Sequence, residues 1–178
     1  MPVPVQDKIS ANELAELLEI RSPDDFWDDV TRGESSYSYV YDAALREGMT
    51  EEEAEEAAQK AEQEELDEAM EKYWSGLEDA AETLFGHHAL DVDRVMKRGE
   101  WTGQYKISPR ATWKDAAAEI MGTINGVGTF YYSSVKEFLD SGPYTPRQAV
   151  LTHLHWIKQY PDVYGTKSAG RIFESALR

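Results

Sequence analysis

The chain has 178 residues, a formal net charge of −16 and no cysteine. The length fits one domain with a sizeable core, and the charge argues against direct contact with nucleic acid or an anionic membrane. Disulfides, thiolate metal sites and cysteine nucleophiles are excluded. The sequence shows neither a secretory signal nor an apolar stretch long enough to span a bilayer, so we expect a cytoplasmic protein.

The negative charge lies almost entirely in the first half of the chain. Residues 1–83 contain 25 acidic and 6 basic residues, whereas residues 84–178 contain 9 acidic and 12 basic ones. We therefore expect an acidic helical region over residues 1–90 and a near-neutral to basic helical region over 91–178, folded as one compact unit. Charge confined to one half indicates a specific role rather than general solubility.

Helix-start signals recur along the chain and predict a mainly α fold, an irregular multi-helix bundle. Ser10, Thr50, Ser134 and Thr145 each begin a capping box, in which a hydroxyl and the side chain three residues later satisfy free backbone N–H groups. We predict helices over residues 10–20, 23–32, 36–47, 51–85, 91–98, 109–121, 134–140, 146–160 and 167–177, and two short strands, 101–107 and 128–132, that pair as a small β-hairpin.

The most informative segment covers residues 51–71 and reads EEEAEEAAQKAEQEELDEAME. It contains eleven carboxylates with Lys60 as its only cation, and its Ala, Glu, Gln and Leu content predicts a helix. At a rise of about 1.5 Å per residue, one negative charge recurs roughly every 3 Å. Phosphates recur about every 3.4 Å along one DNA strand. This spacing indicates a class of partner, a surface that binds nucleic acid, rather than a reaction.

The long acidic helix has two unlike halves. From Leu66 to Leu84, apolar residues recur every three or four positions and predict a buried stripe. Before Leu66 the stripe contains only alanines, which bury little area, so we expect this half to project with most of its circumference in water. Like charges four residues apart, such as Glu52 and Glu56, cost roughly 1–2 kcal/mol in total. A merely solvated acidic face and partial disorder over residues 51–63 remain alternatives.

A second acidic patch surrounds Phe26 and Trp27 on a short predicted helix. Its aspartates lack the glycine and the terminal glutamate of an EF-hand loop, so we predict no metal there. An exposed tryptophan among aspartates would suit a protein interface. We nevertheless expect both aromatic side chains to lie in the core.

No constellation of residues predicts catalysis, and we expect no enzymatic activity, cofactor or metal. His87 and His88 stand near Asp91, but no recognised metal motif accompanies them. His153 lies on an apolar helical stripe and is interpreted as a core histidine. The glycines of residues 122–128 have the wrong spacing for a phosphate loop and are interpreted as a connection between helices.

The leading hypothesis is a non-enzymatic interaction protein that binds a basic, nucleic-acid-binding partner and blocks its ligand site. Small phage-encoded inhibitors that mimic nucleic acid offer an analogy based on charge and size. Association would be fast and salt-sensitive, with Tyr37, Tyr39, Tyr41 and Trp74 as anchors. The predicted partner-binding residues are Glu51, Glu52, Glu55, Glu56, Glu62, Glu64, Glu65, Asp67, Glu68, Glu71, Asp24, Asp25, Asp28 and Asp29.

The alternative hypothesis is a helical assembly protein that self-associates as a homo-oligomer. Arg94, Lys97 and Arg98 are expected to face acidic residues of the same chain or of a neighbouring copy, which would favour such pairing. A small helical enzyme with an unrecognised site ranks third.

Overall fold

The computed structural model describes residues 7–33, 35–127, 131–142, 145–154 and 166–178. They form a mainly α fold, as predicted, with a small antiparallel sheet in the order β1-β3-β2. The strands are β1 (Lys8–Ser10), β2 (Leu90–Lys97) and β3 (Glu100–Pro109). The helices are α1 (Ala11–Leu17), α2 (Pro23–Arg32), α3 (Tyr37–Arg46), α4 (Glu51–Gly86), α5 (Trp113–Val127), α6 (Val135–Asp140), α7 (Pro146–Leu154) and α8 (Thr166–Leu177).

Helix α4 is the longest described element, with 36 residues and a length of about 54 Å. The predicted capping box fixes its start: the Thr50 hydroxyl accepts from the Glu53 amide at 3.2 Å, and the Glu53 carboxylate accepts from the Thr50 amide at 2.9 Å. Ser10, Ser134 and Thr145 also accept from the amide three residues later, as predicted. The sequence therefore determines these helix starts locally.

The C-terminal half of α4 passes through the core. Tyr73, Leu77, Ala80 and Leu84 of the predicted stripe are buried, whereas the two N-terminal members of that stripe are half-buried. Residues from both halves of the chain share this core. They come from α1, the sheet, α5, α7 and α8 and include Leu14, Tyr105, Ile107, Ile120, Val150 and Phe173.

Helix α3 packs along the N-terminal half of α4, while most side chains of this half are exposed, as expected. Ala54 and Ala58 are completely buried in this contact, and Ala44 of α3 is nearly so. Ser36 donates to the Glu65 carboxylate from its amide at 3.2 Å and from its hydroxyl at 2.9 Å. The alanines bury little area each, but their small side chains allow the two helices to approach closely.

The helix predicted over residues 91–98 is wrong, because these residues form β2 and its turn. Strand β2 pairs antiparallel with β3 and has a register irregularity between Arg94 and Met96. Arg98 and Gly99 have φ values of 54° and 79°, and two successive positive values are typical of a two-residue hairpin turn. Gly99 therefore turns a hairpin instead of ending a helix.

The predicted hairpin partner is also wrong. Residues 101–107 do form a strand, as part of β3, but this strand pairs with β1 and β2. Tyr131 and Tyr132 lie outside any strand, and residues 128–130 lie outside the described residues. The sheet thus joins the start of the chain to the segment that follows α4.

Helix α5 lies later in the chain than the predicted helix over 109–121. The interpretation of residues 122–128 as a connection between helices is wrong for the described residues, because Gly122 and Gly126 both lie inside α5. The Asn125 side chain donates to the Tyr132 carbonyl oxygen at 3.0 Å and accepts from the Tyr132 amide at 2.8 Å. The later part of the helix predicted over 146–160 lies outside the described residues. Among the helices that are described, none is both long and apolar enough to cross a membrane.

Candidate partner-binding surface

The carboxylates of α4 that we predicted to bind a partner face solvent. All of them are exposed apart from Glu62, which is half-buried. Within the described residues only one of them forms an ion pair, Glu68 with Lys72 at 3.5 Å. Lys60, the one cation inside the acidic run, forms no ion pair with any described residue. Ion pairs with described residues therefore neutralise almost none of these ten carboxylates.

Neutral donors hold some of these carboxylates without cancelling their charge. Gln59 donates to Glu55 at 3.3 Å, and Gln63 donates to Asp67 at 2.8 Å. Glu65 accepts from Ser36, as described above. These hydrogen bonds order the side chains while leaving the charge available to a partner.

On one side of α4, four carboxylates and Trp74 point in nearly the same direction, and the cation Lys60 lies on that side between Glu56 and Asp67. Successive residues of an α-helix are rotated by about 100°, so Glu56, Asp67, Glu71, Trp74 and Glu78 fall within an arc of about 60°. Their side of the helix lies opposite the alanines that contact α3. We call these five residues the outer ridge.

The second acidic patch lies on α2. Asp24, Asp25, Asp28 and Asp29 are all exposed, and Asp29 forms an ion pair with Arg21 at 2.9 Å. Helix α2 contacts the other side of α4: Phe26 lines a cavity of about 310 Å³ there, whose remaining walls are Glu65, Glu68, Ala69, Lys72 and Leu177.

Ala69 lies about 160° around α4 from Asp67, so α2 and the outer ridge occupy opposite sides of that helix. The fold does not bring the two acidic groups together as two rows on one face. Phe26 is buried, as predicted, and its ring centroid lies 4.8 Å from that of Tyr73. Trp27 is 41% exposed, so its predicted burial is wrong.

Strand β2 and α4 enclose a groove beside the C-terminal end of the outer ridge. We call it the Trp74 groove; its volume is about 420 Å³ and it is lined by Asp67, Met70, Glu71, Trp74, Ser75, Glu78 and Arg94. Three of its seven lining residues are carboxylates, while Met70 and Trp74 provide half-buried apolar surface. The groove therefore combines negative charge with an aromatic wall.

A network that our reading of the sequence missed closes one end of this groove. Arg94 donates to the Glu78 carboxylate, and the Tyr105 hydroxyl donates to the same oxygen at 3.0 Å. The Arg94 guanidinium also lies over the Trp101 ring, 4.6 Å from its centroid. The expectation that Arg94 faces an acidic residue of the same chain is confirmed. That this residue is Glu78, and that Trp101 lies beside Arg94, could not be predicted without knowing that β2 and β3 form a hairpin.

The network changes the pKa of two of its members. The hydrogen bond to Glu78 raises the pKa of the Arg94 guanidinium. Burial, followed by the negative charge of Glu78, raises the pKa of the Tyr105 hydroxyl. Both groups therefore keep their protons at neutral pH, and Glu78 is held by two permanent donors.

The predicted aromatic anchors have different environments. Tyr39 is 78% exposed, whereas Tyr37 and Tyr41 are half-buried and stack with ring centroids 6.3 Å apart. Burial, followed by the charge of Glu55, raises the pKa of Tyr37. Trp74 contacts Trp101 edge-to-face at 4.8 Å. Of these residues, only Trp74 is part of both the outer ridge and a groove.

The histidines are placed as structural residues where they are described. Burial lowers the pKa of His88 to about 4, with a further contribution from His87. His153 is half-buried against Phe138, as predicted, and burial lowers its pKa to about 4. Asp91 accepts from Arg110 at 3.3 Å. In the described segments, no three His, Asp or Glu side chains are grouped as metal ligands.

Comparison of the chain with family models, with curated proteins and with solved structures gave no significant match.

Proposed function

We propose that the protein is a non-enzymatic interaction protein whose helix α4 binds a basic, nucleic-acid-binding partner and blocks that partner's ligand site. The observation that carries this proposal is the near absence of ion pairs among ten exposed or half-buried carboxylates of one helix, within the described residues. Charge that is neither neutralised nor needed for packing is available for a basic surface.

The arrangement of the charge favours one type of basic surface. The ten carboxylates lie on several sides of α4, and the aspartates of α2 lie on the side opposite the outer ridge. A single helix that is charged on several sides fits a narrow basic channel around one nucleic-acid strand better than a surface that contacts both strands of a duplex. Competition with single-stranded nucleic acid is therefore expected to be stronger than competition with a duplex.

The proposal is tested by passing a cell lysate over the immobilised protein at low salt. The proteins that it captures are then eluted with a single-stranded oligonucleotide. We expect basic, nucleic-acid-binding proteins in the eluate, and we expect high salt to release the same proteins, because the contact is electrostatic. The quadruple variant E52Q/E56Q/E64Q/E68Q should capture much less of them, since it removes four exposed carboxylates of α4.

A matched control separates this effect from a change in net charge. The variant D93N/E100Q/E119Q/E174Q removes four exposed carboxylates elsewhere and should capture as much as the wild type. Equal capture by both variants, or capture that the oligonucleotide does not reverse, would contradict the proposal. Light scattering on the same variants separates the alternative: an assembly protein would show a defined oligomer that persists in the α4 variant without any captured partner.

A further inference from the structure

We propose that the Trp74 groove receives an arginine side chain of the basic partner. This inference rests on the proposed function and adds the chemistry of one contact within it. Four residues of the outer ridge, all except Glu56, line the groove, so a partner bound to this side of α4 would contact it. Its volume of about 420 Å³ is ample for one guanidinium and its aliphatic stem.

The chain itself shows how this region binds a guanidinium. Arg94 is held by the Glu78 carboxylate and by the face of Trp101 at 4.6 Å. A carboxylate together with an indole is the combination that suits a planar, delocalised cation. The Arg94 network thus shows the same type of contact that we propose for an arginine beside Asp67, Glu71 and Trp74.

The same combination recurs nearer the N-terminus of α4, without a cation. Glu71 precedes Glu78 by seven residues and Asp67 precedes Glu71 by four, so all three lie on one side of the helix. Asp67 and Glu71 are exposed, and neither forms an ion pair within the described chain. The only cation that lines the groove, Arg94, is already paired with Glu78.

Met70 and Trp74 make arginine a better occupant than lysine. Their half-buried side chains offer an apolar wall to the stem of a long basic residue. Guanidinium groups stack on aromatic rings and bind carboxylates through two parallel hydrogen bonds, whereas the ammonium of lysine is a compact and strongly hydrated charge. The groove should therefore discriminate between two peptides of equal charge.

The test measures binding of a tetra-arginine peptide and a tetra-lysine peptide to the full chain at low salt. We expect the arginine peptide to bind about three- to five-fold more tightly, which is the contribution of an exposed cation–π contact. In an isotope-labelled protein, the indole N–H signal of Trp74 should shift with the arginine peptide and much less with the lysine peptide.

Two variants locate the preference. Trp74→Leu should lower the affinity for tetra-arginine to that for tetra-lysine, while its helical circular dichroism shows that it is folded. The double variant D67N/E71Q changes only exposed side chains and should reduce tetra-arginine binding about three-fold more than E51Q/E55Q does. The latter removes two carboxylates with the same spacing on another side of α4.

The outcomes distinguish this inference from the proposed function. Equal affinity for the two peptides, or a preference for arginine that persists in Trp74→Leu and in D67N/E71Q, would overturn the arginine site. Either result would leave the capture of nucleic-acid-binding proteins by α4 unaffected. Loss of that capture with an intact arginine preference would instead contradict the proposed function.

Discussion

At the level of single residues, His88 couples the stability of the fold to pH. Its side chain is 3% exposed, and burial lowers its pKa to about 4, whereas an unfolded histidine titrates near pH 6.5. Between about pH 6.5 and pH 4 the unfolded chain therefore binds more protons than the folded chain, and stability falls as the pH falls. Urea unfolding should show a loss of about 2 kcal/mol from His88 between pH 7 and pH 5.

Substitution at this position should flatten the pH dependence. His88→Gln carries no titrating group, so its free energy of unfolding should vary less over the same range, whatever its absolute stability. His153 contributes in the same direction, since burial also lowers its pKa. His87→Gln is the control, because His87 is exposed and should keep most of the wild-type slope. An unchanged slope in His88→Gln would show that this histidine is not the source.

At the level of helices, Gly76 determines how closely α8 approaches α4. A Cβ atom at this position would lie 3.0 Å from the Cβ of Ala176 and 3.2 Å from both the ring and the carbonyl oxygen of Phe173. Helix propensity favours alanine over glycine by about 1 kcal/mol, but overpacking costs roughly 1–3 kcal/mol. Gly76→Ala is therefore expected to destabilise the protein by about 1 kcal/mol in chemical denaturation.

Gly122 provides the matched comparison within another helix. A Cβ atom there meets nothing within 4 Å, so Gly122→Ala should gain the propensity term alone and stabilise the protein by about 1 kcal/mol. The two substitutions should thus have opposite signs. Stabilisation by both would mean that the contact between α8 and α4 yields easily.

Some helices and strands could be predicted from the sequence and others could not. Helix α4 was predictable because its capping box, its composition and its apolar stripe all agree over 36 residues. The apolar residues within 91–98 are Val92, Val95 and Met96, and their spacing fits a helix. A segment of eight residues is too short to distinguish the helical period of about 3.6 from the strand period of about 2. Pairing with β3 decides the conformation, and the Arg98–Gly99 turn lacks the Asn-Gly signal of a hairpin.

The candidate site was predictable only in part for a similar reason. The composition of α4 predicts that its carboxylates are exposed. It does not predict which side of the helix α3 covers, because that depends on the packing of Ala54 and Ala58. Trp27 is exposed because α2 packs through Phe26 against Tyr73, and the sequence alone does not rank the two neighbouring aromatics. The Trp74 groove could not be predicted, because Arg94 of β2 forms one of its walls and the sequence did not predict that strand.

At the level of the whole molecule, the uneven charge produces a local self-repulsion rather than a general one. Residues 1–83 carry a net charge of −19, while residues 84–178 carry a net charge of +3. Along α4, Asp67 and Glu71 are like charges four residues apart and exposed. Screening by salt weakens such repulsion, so the melting temperature should rise when NaCl is raised from low concentration to about 0.5 M.

Reversing one charge in α4 should reproduce part of this gain without salt. Glu71→Lys replaces repulsion from Asp67 and Glu68 with attraction, and we expect about 0.5–1 kcal/mol of additional stability at low salt and a smaller further gain on adding NaCl. Glu174→Lys changes the net charge equally but places the new cation three and four residues from Arg171 and Arg178, in a cavity that Arg21 and Glu19 both line. It should not stabilise the protein. Equal stabilisation by the two variants would show that the repulsion comes from the total charge. A gain confined to Glu71→Lys would show that it comes from the carboxylates of α4 that the partner is proposed to bind.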